Sequence, residues 1–357
     1  MMFAQVHCPE VLMPAELDTY LENGWFRMGQ SIFTTNFLNF RNNYYSAIWL
    51  RIDLLKFSGD KTQQKLLKKN SRFESVIREA IINEEKESLY ARYKQNIAFE
   101  TSASLRHLLY GKSNRSIFNT HEVCIYEGSR LIAVGFFDLG ADSAAGITCF
   151  YDPDYKKFSL GKHLIYLKLE YCKQSGLLHF YPGYFVPGYA FFDYKLNIGR
   201  SNLEYLQLRT NQWSSIAAFT PRDIPYQVMK DRLLQMGQML TERGFRNNLL
   251  KYEFFDANLV PELMGAELFD FPLVLFLGES NSDLPDHMVV FDVCDHVFRL
   301  IKCRAVWKTN SSSPLSDTYS SQVLKTEKEI FSSAMPEEIY NTLSSEGKYH
   351  SFRTGTF

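Results

Sequence analysis

The chain has 357 residues, of which 45% are hydrophobic, and a sequence of this length and composition is able to build two or three packed lobes. Its formal net charge is −1 and its isoelectric point is near 6.7, so nothing indicates a DNA partner, and RNA binding would have to come from local groups of cations. The sequence shows no signal peptide, no apolar run of about 18 residues and no disulfide-type cysteine spacing, which predicts a cytoplasmic protein without a membrane span.

The first 110 residues contain one short segment with a possible functional residue and two longer patterned regions. In Leu21–Gly29 a predicted helix ends at Gly24 and a strand follows, and Arg27 has either a structural or a functional role there. Aromatic and branched residues cluster with β-type spacing over residues 31–57, which predicts strands packed in a core. A charged amphipathic helix is predicted from about residue 73 to 93.

Residues 62–70 form a short predicted helix with a basic face. Lys65, Lys68 and Lys69 are spaced so that they lie on the same side of this helix, and Asn70 follows them. Such a face either contacts the backbone phosphates of a nucleic acid or is simply solvated. The charge pattern alone leaves both interpretations open.

The stretch from residue 130 to 195 contains the most regular order of predicted elements. One β-rich run ends at Asp138, and a second, shorter run ends at Phe150. A turn with Ser159–Leu160–Gly161 introduces a helix that ends at Gly176, and a third strand follows directly. This order of strand, strand, glycine turn, helix and strand resembles the core of the acetyltransferase-like N-acyltransferase fold, in which the start of the helix binds phosphate groups.

Beyond residue 195 the sequence predicts a helix from about residue 225 to 243 and, after residue 255, an extension of unknown role. The extension is predicted to contain three strands, a linker and a short helix, at residues 271–277, 287–293, 297–307, 310–314 and 336–343. Four potential metal ligands also lie there, namely Asp292, Cys294, His296 and Cys303. Their alternation along strands fits the two faces of a sheet better than a coordination site, so no metal site is predicted.

Six short motifs, in the same order and at similar spacing, resemble those of the arginyl/leucyl-tRNA–protein transferases. The motifs are Leu131–Val134, Asp138, Phe150–Pro153, Ser159–Gly161, Tyr181–Tyr184 and Tyr194–Lys195. The resemblance covers residues 20–200, because Leu21–Gly29 and the basic helix are similar to the N-terminal part of that family. A single motif of this kind is weak, but six in register favour a common origin.

The resemblance implies an α/β fold with two acetyltransferase-like lobes, at residues 1–110 and 115–250, followed by the extension at 255–357. It implies that the chain moves an amino acid of the arginine or leucine type from aminoacyl-tRNA to the N-terminal α-amine of an acceptor protein, and that no cofactor is needed. One alternative is an acyl-CoA-dependent N-acyltransferase, which would use the same helix start for a pyrophosphate, although the usual Gly-x-Gly spacing is missing. Another is a non-catalytic relative that binds tRNA or protein N-termini.

The same resemblance assigns roles to individual residues. Asp138 would bind or orient the attacking amine, unless it only caps a strand. Tyr181 and Tyr184 would donate hydrogen bonds or stack on the terminal adenosine, unless they are core aromatics. The residues expected to bind substrate are Arg27, Lys65, Lys68, Lys69, Asn70, Ser159, Leu160, Gly161, Gly183 and Lys195. Of these, Lys195 would meet either an acidic N-terminal residue of the acceptor or an RNA phosphate.

The chain also departs from the family pattern. The family usually carries closely spaced cysteines, which bind an iron–sulfur cluster in some members, where this chain has Phe37 and Phe40. Phenyl rings do not replace thiolate ligands, so we expect apolar packing and no such cluster. A serine and a tyrosine of the family are replaced by Ala145 and Thr148, which leaves open a change of substrate or a loss of catalysis.

Overall fold

The computed structural model of the protein describes residues 2–97, 101–277, 287–309 and 315–345. Within these ranges it is a mixed α/β structure, which confirms the predicted fold class, and none of its helices is long and apolar enough to cross a membrane. The strands are β1 (Ala4–His7), β2 (Phe26–Met28), β3 (Ser31–Thr35), β4 (Phe37–Phe40), β5 (Asn43–Ser46), β6 (Ile48–Asp53), β7 (Glu74–Glu79), β8 (Thr120–Glu127), β9 (Arg130–Leu139), β10 (Ser143–Tyr151), β11 (His179–Phe185), β12 (Leu203–Gln207), β13 (Gln212–Ser215), β14 (Asn247–Tyr252), β15 (Leu273–Leu277), β16 (Met288–Asp292), β17 (Val297–Lys308), β18 (Thr318–Tyr319) and β19 (Gln322–Ser333). The α-helices are α1 (Pro14–Glu22), α2 (Lys61–Asn70), α3 (Glu84–Lys94), α4 (Leu105–Tyr110), α5 (Leu160–Gln174), α6 (Pro225–Glu242) and α7 (Pro336–Ser345).

An eight-stranded sheet, in the order β13-β12-β6-β11-β10-β9-β8-β7, organises the first two thirds of the chain. Its neighbouring strands are antiparallel except for β10 and β11, which run parallel and are connected by α5. A parallel pair needs such a crossover because both strands run in the same direction. Phe136 and Phe137 point to opposite faces of the sheet, the first towards Leu89 on α3 and the second towards Leu164 on α5.

The face that α3 covers also supports α1 and the small sheet β1-β3-β2. Leu17 and Leu21 on α1 and Ile32 on β3 pack against Ala145 and Tyr181 of the large sheet. All five side chains are at most 3% exposed, so this N-terminal layer closes one side of the sheet.

The eight-stranded sheet takes strands from both sides of the boundary predicted near residues 110–115. β6 and β7 come before that boundary and the remaining strands after it, so the two predicted lobes share one hydrogen-bonded sheet. Their independence as folding units stays a prediction.

The helix predicted from residue 73 to 93 is wrong in its first part. Residues 74–79 form β7, which pairs with β8, because Val76 and Ile77 extend the edge of the sheet opposite Cys124 and Val123. The helix begins only at Glu84, where the Asn83 side chain accepts a hydrogen bond from the N–H of Lys86.

A second sheet, in the order β18-β14-β15-β16-β17-β19, forms the C-terminal part. α6 packs on it through Met229, Leu233, Met236 and Leu240, as their spacing predicts. β15, β16 and β17 confirm the three predicted strands, and α7 begins at Pro336 as predicted. Since α6 and β14 also belong to this part, the boundary predicted at 250–255 lies too late in the chain. The predicted linker at 310–314 lies outside the described residues.

The potential metal ligands of the C-terminal part have other contacts. Asp292 accepts a hydrogen bond from the backbone N–H of Cys294 at 2.9 Å and forms an ion pair with Arg299 at 3.0 Å, while Cys303 lies in the core. In the ranges that the structure describes, no three His, Cys, Asp or Glu side chains are grouped so that they could hold a metal ion.

Candidate active-site cleft

β10 and β11 separate along their length, and a cleft opens between them. The two strands pair only where Ser143–Ala145 faces His179–Tyr181, and a bulge at Ile147 then bends β10. The cleft has a volume of about 570 Å³. The start of α5 and the segment that follows β11 contribute to its walls, which include Cys149, Gly161, Lys162, Phe191, Tyr194 and Lys195.

The start of α5 presents unpaired backbone donors at this cleft. Ser159 adopts a left-handed conformation with φ of 52° and is the residue at which the helix begins, as predicted. The first backbone donor within the helix is His163, whose N–H donates to the Ser159 carbonyl at 3.1 Å. The preceding N–H groups of Leu160, Gly161 and Lys162 have no acceptor one turn earlier, and the helix dipole makes this end positive. The arrangement is suited to a phosphate or another anion.

Two residues of α2 hold the turn that leads into α5. Lys69 donates from Nζ to the Lys157 carbonyl at 2.5 Å, and Asn70 donates from Nδ2 to the Phe158 carbonyl at 3.1 Å. The role found for Lys69 and Asn70 is therefore to position the turn before Ser159. Leu160 is fully buried in the core beneath α5, so only its backbone could meet a ligand, and its contact with substrate stays a prediction.

Five exposed lysines surround this turn, and we call them the basic turn surface. Lys65 and Lys68 lie on α2, Lys156 and Lys157 on the turn itself, and Lys162 in the first turn of α5. α2 packs against both the turn and α5, which brings these cations to one region of the molecule. Sequence reasoning found Lys65 and Lys68 but missed the other three, whose positions depend on this packing.

Lys195 lies at the opposite wall of the cleft, next to Gly183. Its Nζ donates to the Tyr184 carbonyl at 2.7 Å and lies over the Tyr184 and Phe192 rings at 5.5 and 5.2 Å from their centres. Gly183 has a φ of 82°, and a Cβ atom there would stand 3.2 Å from the lysine Nζ, so glycine leaves room for this amine. Burial lowers the pKa of Lys195 to about 7. No carboxylate of the described residues forms an ion pair with it.

The region that builds this cleft matches a known family. A model described as "Arginine-tRNA-protein transferase, C terminus" matches residues 85–204. An "Aspartate/glutamate leucyltransferase" of Leptospira interrogans is 28% identical over 222 residues, which are 60% of this chain and 84% of that protein. A protein of the same name from Vibrio cholerae is 28% identical over 197 residues, 53% of this chain and 79% of that protein. Over these residues the chain is similar to the aminoacyl-tRNA–protein transferases.

Solved structures overlap with a smaller part of this chain. L-PGS from Bacillus licheniformis overlaps with 39% of this chain and 46% of its own, at 13% identity and a TM-score of 0.29. The ribosomal-protein-S18-alanine N-acetyltransferase from Escherichia coli overlaps with 29% of this chain and 63% of its own, at 17% identity and a TM-score of 0.23.

Arg27 and Asp138, both expected at the substrate site, are buried against each other instead. Nη1 of Arg27 lies 2.8 Å from Oδ1 of Asp138, which also accepts a hydrogen bond from the Thr120 hydroxyl at 2.6 Å. The guanidinium also donates to the carbonyls of Gly29 and Leu109. Asp138 is fully buried under the N-terminal layer and does not line the cleft, which corrects its expected contact with the attacking amine.

The two tyrosines of the family motif also have structural contacts. Tyr181 is 3% exposed in the core beneath α1, and its hydroxyl donates to Glu22 at 2.9 Å. Tyr184 packs edge-on against Trp49 with 5.1 Å between ring centres, and burial raises the pKa of its hydroxyl to about 12. Tyr181 is therefore a core aromatic and does not have the expected catalytic role. Tyr184 contacts Lys195 through its carbonyl and its ring.

A buried lysine and a cysteine at the cleft wall were missed from the sequence. Lys168 on α5 is 1% exposed, and its Nζ donates to the carbonyls of Phe136 and Thr148 at 2.7 and 3.1 Å. The same Nζ lies 3.3 Å from Sγ of the partly exposed Cys149. A Cβ at Gly135 would approach Lys168 Cε to 2.8 Å, so this glycine provides the space for the lysine.

The two phenylalanines that stand in place of the family cysteines pack as aromatics, as expected. Phe37 is 1% exposed and meets Phe3 edge-on at 5.0 Å between ring centres. Phe40 stacks on Tyr189 at 5.0 Å and on Phe192 at 6.2 Å. The hairpin of β4 and β5 is thereby attached to the segment that carries Lys195.

Proposed function

We propose that this protein transfers an amino acid from charged tRNA to the N-terminal α-amine of an acceptor protein, in the cytoplasm where charged tRNA is present. The observation that carries the proposal is the cleft itself. It combines an open helix start, the basic turn surface and the amine of Lys195, which forms no ion pair with a carboxylate of the described residues. The helix start and Lys195 lie within the residues that the family model matches.

The acceptor end of the tRNA would bind along the α5 side of the cleft. Its terminal phosphates would receive hydrogen bonds from the N–H groups of Gly161 and Lys162, and the basic turn surface would attract the phosphates that follow. Phe191 and Tyr194 line the cleft and are 42% and 37% exposed, so their rings are available to stack on the terminal base. Stacking of this kind contributes about 1–3 kcal/mol per base.

The reaction itself needs no external energy source, because the aminoacyl ester is already activated. The nitrogen of the acceptor α-amine attacks the ester carbonyl carbon, a C–N bond forms, the C–O bond to the ribose breaks, and the ribose oxygen takes up the proton that the amine loses. A free α-amine has a pKa of about 7.7–8.0, so a useful fraction is neutral near neutral pH. The cleft then contributes mainly through alignment of amine and ester.

Lys195 would recognise the acceptor. A buried amine with a pKa of about 7 and no carboxylate partner gains a counter-ion when an acidic side chain enters the cleft. Two similar proteins are named aspartate/glutamate leucyltransferases, which supports an acceptor with an N-terminal Asp or Glu and leucine as the transferred residue. Ser159 would contribute through its left-handed backbone, which starts the helix. Gly183 would contribute through its missing side chain, which leaves room for Lys195.

The proposal is tested by transfer of radiolabelled leucine or arginine from charged tRNA to peptides that differ only in their first residue. We expect leucine to appear on peptides that begin with Asp or Glu, much less on one that begins with Ala, and not on an N-acetylated peptide. Radiolabelled acetyl-CoA is the matched donor for the alternative acyltransferase function. Transfer from acetyl-CoA without use of either charged tRNA would refute the proposal, and so would inactivity with every donor.

A further inference from the structure

A second cavity lies between the eight-stranded sheet and the C-terminal sheet, away from the cleft described above. It has a volume of about 400 Å³. The turn between β12 and β13, the turn before α6, and the turn between β16 and β17 form its walls. None of the residues that line this cavity belongs to a motif that resembles the transferase family.

The cavity has a cationic rim and partly apolar walls. Arg209 and Arg222 line it from two different turns, and within the described residues neither guanidinium has a hydrogen-bond or ion-pair partner. Asp223 is the acidic residue of the lining, and its carboxylate is engaged by the backbone N–H and the hydroxyl of Thr220, both at 2.8 Å. Val228 is among the apolar lining residues. The rim therefore has an excess of positive charge.

His296 also lines this cavity, and one of its ring nitrogens has no hydrogen-bond partner in the part of the chain that the structure describes. It adopts a left-handed conformation with φ of 61° in the turn between β16 and β17, and its ring stands edge-on to Phe291 at 5.3 Å between centres. Its Nδ1 atom is buried and has no hydrogen-bond partner. His296 therefore brings a polar ring to a cavity wall that already carries two arginines.

We propose that this cavity binds a small organic phosphate, with Arg209 and Arg222 pairing with the phosphate oxygens and the imidazole ring of His296 beside them at the cavity wall. Guanidinium groups match the geometry of phosphate oxygens, and two of them together suit a dianion better than a monocarboxylate. The volume is in the range of small-molecule sites, and the apolar walls suit the organic part of such a ligand.

The charges around His296 make this binding depend on pH. Burial, Arg209 on the rim and Arg232 on α6 all lower the pKa of His296, while Asp292 on the adjacent strand has the opposite, smaller effect. The carboxylate of Asp292 is already shared with Arg299 and backbone N–H groups. A bound phosphate would stabilise the protonated imidazole, so binding takes up a proton and weakens as the pH rises.

The test measures binding of AMP, inorganic phosphate and adenosine to the full chain by calorimetry at about pH 6 and pH 8, on either side of the ordinary histidine pKa. We expect AMP to bind saturably and more tightly than adenosine, and its affinity, expressed per dianion to allow for the second phosphate pKa of about 6, to be higher at the lower pH. Arg209→Met and Arg222→Met should each weaken AMP binding by about tenfold, which corresponds to one lost charge-assisted hydrogen-bonding partner. His296→Asn, which retains the tolerance of a left-handed backbone, should remove the pH dependence.

Lys230→Met is the matched control, because Lys230 is an exposed cation on α6 that does not line the cavity. It should leave AMP binding unchanged. An RNA phosphate has the same chemistry, and in that case Arg209→Met and Arg222→Met would weaken binding of tRNA and flatten its salt dependence while AMP failed to saturate. The proposal is overturned if AMP and phosphate fail to bind saturably or do not respond to these variants, even where tRNA does, or if Lys230→Met has the same effect. Neither result would count against the proposed transfer reaction, because its cleft shares no lining residue with this cavity.

Discussion

Arg27 on β2 and Asp138 on β9 form an ion pair with 2.8 Å between Nη1 and Oδ1, and their side chains are 2% and 0% exposed. The pair joins the small N-terminal sheet to the eight-stranded sheet, and the hydroxyl of Thr120 completes it. Both residues belong to segments that resemble the transferase family. The resembling segments therefore contribute to the contact between two layers of the fold as well as to the cleft.

Removal of one partner should therefore destabilise the protein. Asp138→Ala leaves the Arg27 guanidinium buried without its counter-ion, and loss of one member of a buried pair costs about 3–5 kcal/mol. The free energy of unfolding, measured by urea denaturation, should fall by that amount. The double variant Arg27→Met/Asp138→Leu should lose less than the sum of the two single changes. An Asp138→Asn variant that keeps full stability but loses transfer would instead indicate a direct role in the reaction.

The order of elements around the cleft could be predicted from sequence, because glycine turns and hydrophobic periodicity are local signals. The role of Asp138 could not, since periodicity identifies the face of a strand but not the layer that covers that face. Lys168 illustrates the same limit. A lysine within a helix is ordinarily exposed, and only the absent side chain of Gly135 makes room for it beneath the sheet.

Reversal of charge on the basic turn surface should weaken tRNA binding. Lys65→Glu/Lys68→Glu changes two exposed cations whose side chains make no contact that supports the fold, and each lost phosphate contact flattens the log–log salt slope by about 0.7 on single strands. We expect a slope smaller by about one to two units in a filter-binding assay across salt concentrations. Lys328→Glu, an exposed cation on β19 of the C-terminal sheet, is the control. An unchanged slope in the double variant would show that this helix face is only solvated.

Asp270 should make stability decrease as the pH rises from acidic to neutral. Its carboxylate accepts hydrogen bonds from the backbone N–H groups of Phe3 and Ala4, yet burial raises its pKa to about 7 from the ordinary 3.8. The folded state therefore binds this proton more tightly than the unfolded state. Its contribution is complete below the unfolded pKa and is lost as the pH rises through the folded value. Asp270→Asn should flatten this part of the curve in urea denaturation at a series of pH values, and an identical curve for both proteins would contradict the prediction.

Alkylation of Cys149 should block the transfer cleft. The thiol is partly exposed at the cleft wall, where a reagent can reach it, and lies 3.3 Å from Nζ of Lys168. Treatment with iodoacetamide should modify Cys149 and abolish transfer, whereas Cys149→Ala should stay active and resist the reagent. Mass spectrometry assigns the modified sites, with exposed Cys8 as a reactive control and buried Cys172, whose pKa burial raises, as a protected one. Full activity of the protein alkylated at Cys149 would contradict the prediction that transfer takes place in this cleft.

Lys195 should give the reaction a pH dependence that is specific to acidic acceptors. With a pKa of about 7, the free amine loses its proton as the pH rises through neutrality, and an Asp-initiated peptide then has to bind together with a proton. The KM for that peptide should rise above about pH 7, while the KM for an Ala-initiated peptide should not. Lys195→Arg keeps its charge at every pH used, so its ratio of KM values for the Asp and Ala peptides should be independent of pH. Lys195→Met should lose the preference for Asp over Ala altogether. Both peptides carry the same α-amine, so their ratio cancels its titration. A Lys195→Met variant that retains the preference would exclude Lys195 from acceptor recognition.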